Sequence, residues 1–422
     1  MTGHDAPHFH TVGVGAGPAN LSLAALFEAV TPDRIALYEA QPEPAWHGGL
    51  SFPGVRMQTG WLKDLVSLVD PSHRLSFLSY LVRTKRAFTF LSAQYSDIPR
   101  LEYIRYLEWA AGQLANVHFG RRIDKVCFDE GFCLYRGSEL VSHGDHLVVA
   151  IGSSARVLPG LADLDADRVA VADEMTARVE QLDLQLDDRI AVAGGGQTGA
   201  ECVLELRRRG FSDIRWFGRR PWFAPLDDSP SANEMYRPSY AAFLNRLPVE
   251  RKRELVKEQV LTSDGISAGT LRALFQDNYE DLLRTGQAPI TLLPGRWVVG
   301  GERHGTGVRL SARGPHGTEH HDVRFVVVAV GRRPAPLPFD DRLREMVDSD
   351  ERGSPIVEED YSLRWKGQDS HKIFVQNRAR YVHGLPDANL SLLPMRSAII
   401  INSLFGRSVF EFADEYGTTM WD

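Results

Sequence analysis

The chain has 422 residues but only three cysteines, Cys127, Cys133 and Cys202. Three thiols cannot build a disulfide framework or a tetrahedral zinc site, so a reducing cytoplasm is expected and no metal centre is. No apolar run approaches the ~18–20 residues that a membrane span needs. The opening MTGHDAPHFH lacks a charged stretch followed by an apolar core, so no signal peptide is expected. Net charge is also small for the length. Lysine and arginine number 48 against 55 acids, a net −7, which argues against a general nucleic-acid binder. Short-period repeats and low-complexity tracts are absent. What remains is ordinary globular composition, 43% hydrophobic and 24% charged, at a length that favours two or three domains.

The order of elements then carries the reading. His10–Val30 reads as a strand, a glycine turn and a helix, and Arg34–Glu39 as the next strand. The same opening recurs later: a strand at Arg189–Ala193, a turn at Gly194–Gly199, a helix at Ala200–Arg209 and a strand at Ile214–Phe217. Helical periodicity marks residues 100–116, and His146–Ile151 and Phe325–Val330 are buried apolar strands. The polar stretch 221–290, with helices near 247–259 and 268–284, interrupts the strand–helix rhythm. The predicted fold class is α/β, with two Rossmann-like units and a smaller, mainly helical insertion. The expected divisions are 1–165 and 326–422 for the first unit, 183–227 and 290–325 for the second, and 228–289 for the insertion.

Gly15-Ala16-Gly17-Pro18-Ala19-Asn20 stands in the place of a Gly-x-Gly-x-x-Gly fingerprint, with Asn20 in the last slot. Glycines there let backbone N–H groups approach a pyrophosphate at a helix N-terminus. Glu39 ends the following strand, placed to hold a ribose hydroxyl pair. In the second unit Gly194-Gly195-Gly196-Gln197-Thr198-Gly199 fits the fingerprint fully, and the next strand ends in Arg219 and Arg220. An acid there would repel a 2′-phosphate that arginine pairs with. FAD is therefore expected at the first site and NADPH at the second, with hydride passing from NADPH to flavin. A helix from about Leu390 to Leu404, starting near Asn389, could turn its positive end to the flavin pyrimidine.

The outlet for the electrons is less determined. Cys127 and Cys133 lie in a strand-like segment with no helix N-terminus to activate a thiolate, and they read as packing residues. Electron transfer to a protein, or an NADPH oxidase or reductase without hydroxylation, stays open on these grounds. So does reaction with oxygen.

Further motifs decide between these outlets. Met57-Gln58-Thr59-Gly60-Trp61-Leu62-Lys63-Asp64-Leu65, Val69-Asp70-Pro71 and Phe77–Leu81 resemble the flavin-dependent N-hydroxylating monooxygenases of lysine, ornithine and diamines. The likeness runs on through Trp46-His47-Gly48, Asp227–Glu234, Leu261–Ile266, His383-Gly384-Leu385, Leu390-Ser391-Leu392 and Arg396-Ser397-Ala398. It spans about residues 10–412. Thr262–Ile266 is similar to the lysine branch, Asn233 to the ornithine branch. Ala329-Val330-Gly331-Arg332 departs from the family's Ala-Thr-Gly-Tyr, and Ala19 stands where many lysine enzymes have Phe.

The resemblance implies N-hydroxylation of a terminal amine, L-lysine first and cadaverine, putrescine or L-ornithine as alternatives, in siderophore or related hydroxamate biosynthesis. It implies a flavin C4a-hydroperoxide attacked by the neutral amine. Neutrality at pH 7 costs a lysine side chain roughly 4–5 kcal/mol, so a desolvated pocket is expected. Gln58 is the expected catalytic residue at the flavin edge. Lys63, Asn233, Asp264 and Ser391 are the substrate candidates, with Lys63 on the α-carboxylate that a diamine lacks. Gly15, Gly17, Pro18, Asn20, Glu39, Trp46, His47, Gln58 and Leu390 are assigned to FAD. Gly194, Gly196, Gln197, Thr198, Gly199 and Arg219 are assigned to NADPH. His47 and His383 are as well explained as structural histidines. The partners implied are a small amine and oxygen, in a homo-oligomer.

Overall fold

A computed structural model describes residues 6–31, 34–368, 370–411 and 417–421. The opening MTGHD, part of the stretch read for a signal peptide, lies outside them. Two sheets organise the chain. The first runs Val117–His118, Ile35–Tyr38, His8–Val14, Glu139–Val149, Phe132–Arg136, Lys125–Phe128, and Ile373–Val375 also pairs with Glu139–Val149. The second runs Ile290–Pro294, Asp213–Gly218, Arg189–Ala193, Phe325–Val328, Val169–Val171, all parallel. The architecture is α/β with two Rossmann-type units, as expected.

Each central strand is buried along nearly its whole length, because helices or further sheet cover both faces. Val12, Leu37, Leu147, Val148 and Phe374 are fully buried in one core. Ile190, Val192, Trp216, Phe325 and Val327 are fully buried in the other. A three-stranded antiparallel meander, Trp297–Val323, packs Val298, Val308 and Leu310 against the second sheet's opposite face.

Three sequence-based placements move. Phe325–Val328 and Val169–Val171 both belong to the second sheet, beyond the 183–227 and 290–325 expected for that unit. The apolar run at 325 pairs with Ile190–Ala193 and closes that sheet before the chain returns. Second, the segment 219–289 is the crossover between two adjacent parallel strands, and its last helix is not part of a separate insertion. Helix Ala268–Thr285 packs Leu271 and Leu274 into the second core, and Asp281 pairs with Arg207. Third, the C-terminal helix starts at Leu393, not Asn389. Asn389 instead caps a 3-10 turn, Leu390–Leu392, through its side chain.

Cys127 and Cys133 sit directly opposite each other across a hairpin as free, half-buried thiols. Burial pushes both thiols up, Cys133 to about 11, consistent with packing residues. Among the described residues, no helix is long and apolar enough to cross a membrane, and no cluster is suited to a metal ion.

Candidate active site

Both fingerprint turns are built the same way. Gly15 adopts φ +90, and a Cβ there would lie 2.4 Å from the Ala150 carbonyl oxygen. Gly194 adopts φ +138, and a Cβ would lie 2.0 Å from the Ala329 carbonyl oxygen. Each first glycine thus turns the chain against the end of the apolar strand that returns beside it. Gly17 and Gly196 follow as N-caps of helices Pro18–Glu28 and Gln197–Arg208, and a Cβ at either would meet nothing within 4 Å. Each helix N-terminus therefore leaves clear the room that a Cβ would take, the close backbone approach a pyrophosphate needs.

Asn20 has a physical explanation. In the second unit, Gly199 lets the Trp216 indole N–H reach the Gly194 carbonyl at 2.9 Å. In the first unit, Asn20 Nδ2 donates to the Gly15 carbonyl at 2.6 Å, and Gln376 donates to Asn20 Oδ1 at 2.7 Å. The asparagine supplies from its own side chain the bond that tryptophan supplies elsewhere. Fully buried, it braces the turn from behind and does not present its side chain to a ligand.

Glu39 lies at the same turn: its carboxylate accepts from Ala16 N–H at 2.8 Å and Gln41 N–H at 2.9 Å. Trp46 lines a small cavity with Ala16, Gly17, Pro18 and Leu107. Its ring meets those of His47 and Tyr103 edge-on. His47 adopts a left-handed φ of 49, and burial, helped by Arg100 and Arg332, lowers its pKa to about 4. It is neutral at physiological pH. The residues around the first turn fit a dinucleotide: a bare helix N-terminus, a carboxylate and an aromatic wall.

At the second turn, Arg219 is exposed and has no ion-pair partner among the described residues, as a 2′-phosphate reader requires. Arg220 differs: it donates to the Asp264 carbonyl at 3.3 Å. Thr198 follows Gln197 in the helix's first turn. Gln197 is already engaged, accepting from Ser267 N–H at 2.8 Å and donating to Glu201 at 2.8 Å.

Gln58 and Lys63 share one loop, and the crossover segment faces it. Gln58 is exposed, and its Nε2 donates to Ser267 Oγ at 3.0 Å. Lys63 Nζ lies 5.8 Å from the Tyr236 ring centre, with no carboxylate in ion-pair range among the described residues. Burial alone lowers its pKa. Tyr236 donates to the Thr262 carbonyl at 2.7 Å, and burial raises its phenol. Loop and crossover therefore bring a half-buried, unpaired ammonium under an aromatic face.

The other substrate candidates gather less tightly. Asn233 is exposed, with its amide donating to the carbonyls of Asp228 and Ser229 at 3.2 Å. Asp264 is exposed and paired with Arg380 at 3.4 Å. Ser391 is buried, and its hydroxyl donates to Asn389 Oδ1 at 2.7 Å, so it is spent within the 3-10 turn that also carries Leu390. His383 is buried and stacked on Tyr361 at 4.0 Å, and burial lowers its pKa to about 3, which makes it a core histidine.

Reading the sequence missed Tyr236, Ser267, Arg380 and the pair Arg100–Glu201. The last is buried between the two units: Arg100 NH2 meets Glu201 Oε1 at 2.8 Å and NH1 meets Oε2 at 2.9 Å. Tyr236 and Ser267 fall just past the motif runs ending at Glu234 and Ile266, and nothing local marks them.

Comparison with known proteins now adds to this geometry. The family described as L-lysine 6-monooxygenase/L-ornithine 5-monooxygenase matches residues 7–334. The chain belongs to that family. It is 32% identical over 420 residues to the L-lysine N6-monooxygenase of Escherichia coli, covering 97% of each chain. It is 26% identical to the putrescine N-hydroxylase of Shewanella oneidensis, covering 95% of this chain and 82% of that one. The ornithine N-hydroxylase of Kutzneria sp. 744, solved with reduced FAD, NADP+ and L-ornithine, superposes with a TM-score of 0.88 at 26% identity, covering 95% and 99%. As a member of the family the chain is a flavin-dependent N-hydroxylating monooxygenase.

Proposed function

We propose that this enzyme N-hydroxylates the terminal amine of L-lysine, using FAD and NADPH, in siderophore or related hydroxamate biosynthesis. The observation that carries the choice of an amino acid over a diamine is Lys63. A half-buried ammonium whose nearest compensation is the Tyr236 ring face costs solvation that no carboxylate among the described residues returns, and a substrate α-carboxylate would return it. A diamine has no such group. The Escherichia coli relative, named a lysine N6-monooxygenase, supports the same reading.

The chain's own residues do three things. The turns at Gly15–Gly17 and Gly194–Gly196, with Glu39, Trp46 and Arg219, hold the two dinucleotides. Bound together, FAD and NADPH supply the two-electron reduction and oxygen activation that the reaction draws on. Lys63 anchors the carboxylate, with Asn233 as the candidate for the α-amine. Gln58 borders the reacting edge, and burial of the substrate's terminal amine in the bound state would disfavour its ammonium form and so help keep the attacking amine neutral. Tyr236 stays protonated, because burial raises its phenol.

The test is hydroxylamine product with FAD and NADPH against L-lysine, L-ornithine, cadaverine and putrescine in parallel. Product with lysine alone supports the reading. Product with a diamine alone removes the carboxylate anchor and keeps the chemistry. NADPH consumption giving only peroxide with all four points to the oxidase alternative.

A further inference from the structure

Two glutamines assigned to different cofactors meet at one serine. Gln58 Nε2 donates to Ser267 Oγ at 3.0 Å, while Ser267 N–H donates to Gln197 Oε1 at 2.8 Å. Gln197 Nε2 donates in turn to Glu201 at 2.8 Å and to Thr270 Oγ1 at 3.3 Å. Glu201 carries the buried, two-point pair with Arg100. Gln197 is therefore fixed by the fold, and the Ser267 backbone with it.

Ser267 is the N-cap of helix Ala268–Thr285, yet its side chain accepts nothing from that helix. An N-cap serine usually accepts from the N2 or N3 N–H, an arrangement worth about 1 kcal/mol. Here the hydroxyl faces across to Gln58 instead. Gln58 is exposed, and a free glutamine side chain samples many rotamers. Besides Ser267, its amide meets only the Gly265 carbonyl among the described residues, at 3.5 Å.

We propose that Ser267 is a positioning residue that holds Gln58 for oxygen transfer, so that NADPH oxidation yields hydroxylamine and not peroxide. The proposal rests on the reading that Gln58 borders the reacting edge. In coupled turnover NADPH, a proton, O2 and R–NH2 give NADP+, R–NHOH and water. In the leak, NADPH, a proton and O2 give NADP+ and H2O2. Ser267 decides between these outcomes only through Gln58, so it should not govern flavin reduction.

The experiment compares wild type, S267A, S267T and Q58A, each loaded with FAD, using an amine that gives product in the panel above. Hydroxylamine formed per NADPH consumed is measured beside anaerobic flavin reduction by NADPH. S267A should lose coupling roughly five-fold, the factor matching one lost hydrogen bond, with flavin reduction unchanged. S267T keeps the hydroxyl and should stay coupled. A coupled S267A beside a leaking Q58A would overturn the proposal and leave Gln58 its role. So would an S267T that leaks like S267A, or flavin reduction falling in step with product. A fully coupled Q58A would remove the reading of Gln58 itself, and the proposal with it.

Discussion

Replacing Lys63 by alanine separates substrate anchoring from the rest of the reaction. The ammonium is half-buried, faces the Tyr236 ring, and has no carboxylate partner among the described residues. A charge-assisted hydrogen bond to such a group contributes about 1.5–3 kcal/mol, which is roughly 10- to 150-fold in affinity. Lys63→Ala should therefore raise the KM for L-lysine by that factor. Flavin reduction by NADPH should be unchanged, because Lys63 touches neither fingerprint turn. The protein should not become less stable. The lysine's folded pKa lies below its unfolded value, so the unfolded state binds more protons and the native state carries a penalty at neutral pH. That penalty fades as pH rises through the lowered folded pKa towards 10.5, and the variant should lack this dependence. Steady-state hydroxylamine formation gives KM, and stopped-flow reduction supplies the control. A lysine KM within about three-fold of wild type would refute the anchor, since such a change is under 1 kcal/mol.

Arg219→Ala should weaken NADPH at least ten-fold more than NADH, the scale of one charge-assisted contact to a 2′-phosphate, and equal losses in KM would show that it reads no phosphate. The glycines of the first turn should divide by mechanism. Gly15→Ala forces a Cβ against the Ala150 carbonyl at positive φ and should destabilise the fold by several kcal/mol, seen as a lower urea midpoint. Gly17→Ala meets nothing within 4 Å, so it should fold normally and lose FAD affinity, read by flavin fluorescence. Burial holds His47 and His146 to about 4 and His383 to about 3. Their folded pKa values lie below 6.5, so the unfolded state binds more protons and stability should fall as pH drops below about 6.5. The slope approaches about 1.4 kcal/mol per pH unit for each histidine only below about pH 5.5, and averages about 1 kcal/mol per unit between pH 7 and pH 5, measurable by urea unfolding.

The paired dinucleotide units were legible because their signals are local. A glycine turn lies within six residues of its strand and helix, and a run such as Phe325–Val328 is apolar enough to be a buried strand on either sheet. Which sheet it joins is not local, and there the divisions moved. Val169–Val171 was invisible because three residues in an acidic stretch carry no period. Helix Ala268–Thr285 was placed correctly as a helix and wrongly as an insertion. The packing of Leu271 and Leu274 into the second core and the ion pair of Asp281 with Arg207 depend on a crossover that the amphipathic pattern does not reveal.

The site divides along the same line. Gly17, Glu39, Gly196 and Arg219 could be proposed from sequence because each belongs to its own motif, at a backbone turn or the end of the next strand. Ser267 and Tyr236 act through partners some two hundred residues away in the chain, and no spacing announces such a pair. The fold explains why the crossover carries both. It leaves the second sheet at Gly218 and returns at Ile290, passing the loop of Gln58 and Lys63 on the way. The buried pair Arg100–Glu201 fixes the units that bound this passage, and breaking one partner of such a pair costs about 3–5 kcal/mol. The proposed cofactor contacts are thus written in two separate motifs, while the proposed placement of Gln58 and Lys63 rests on the chain that runs between them.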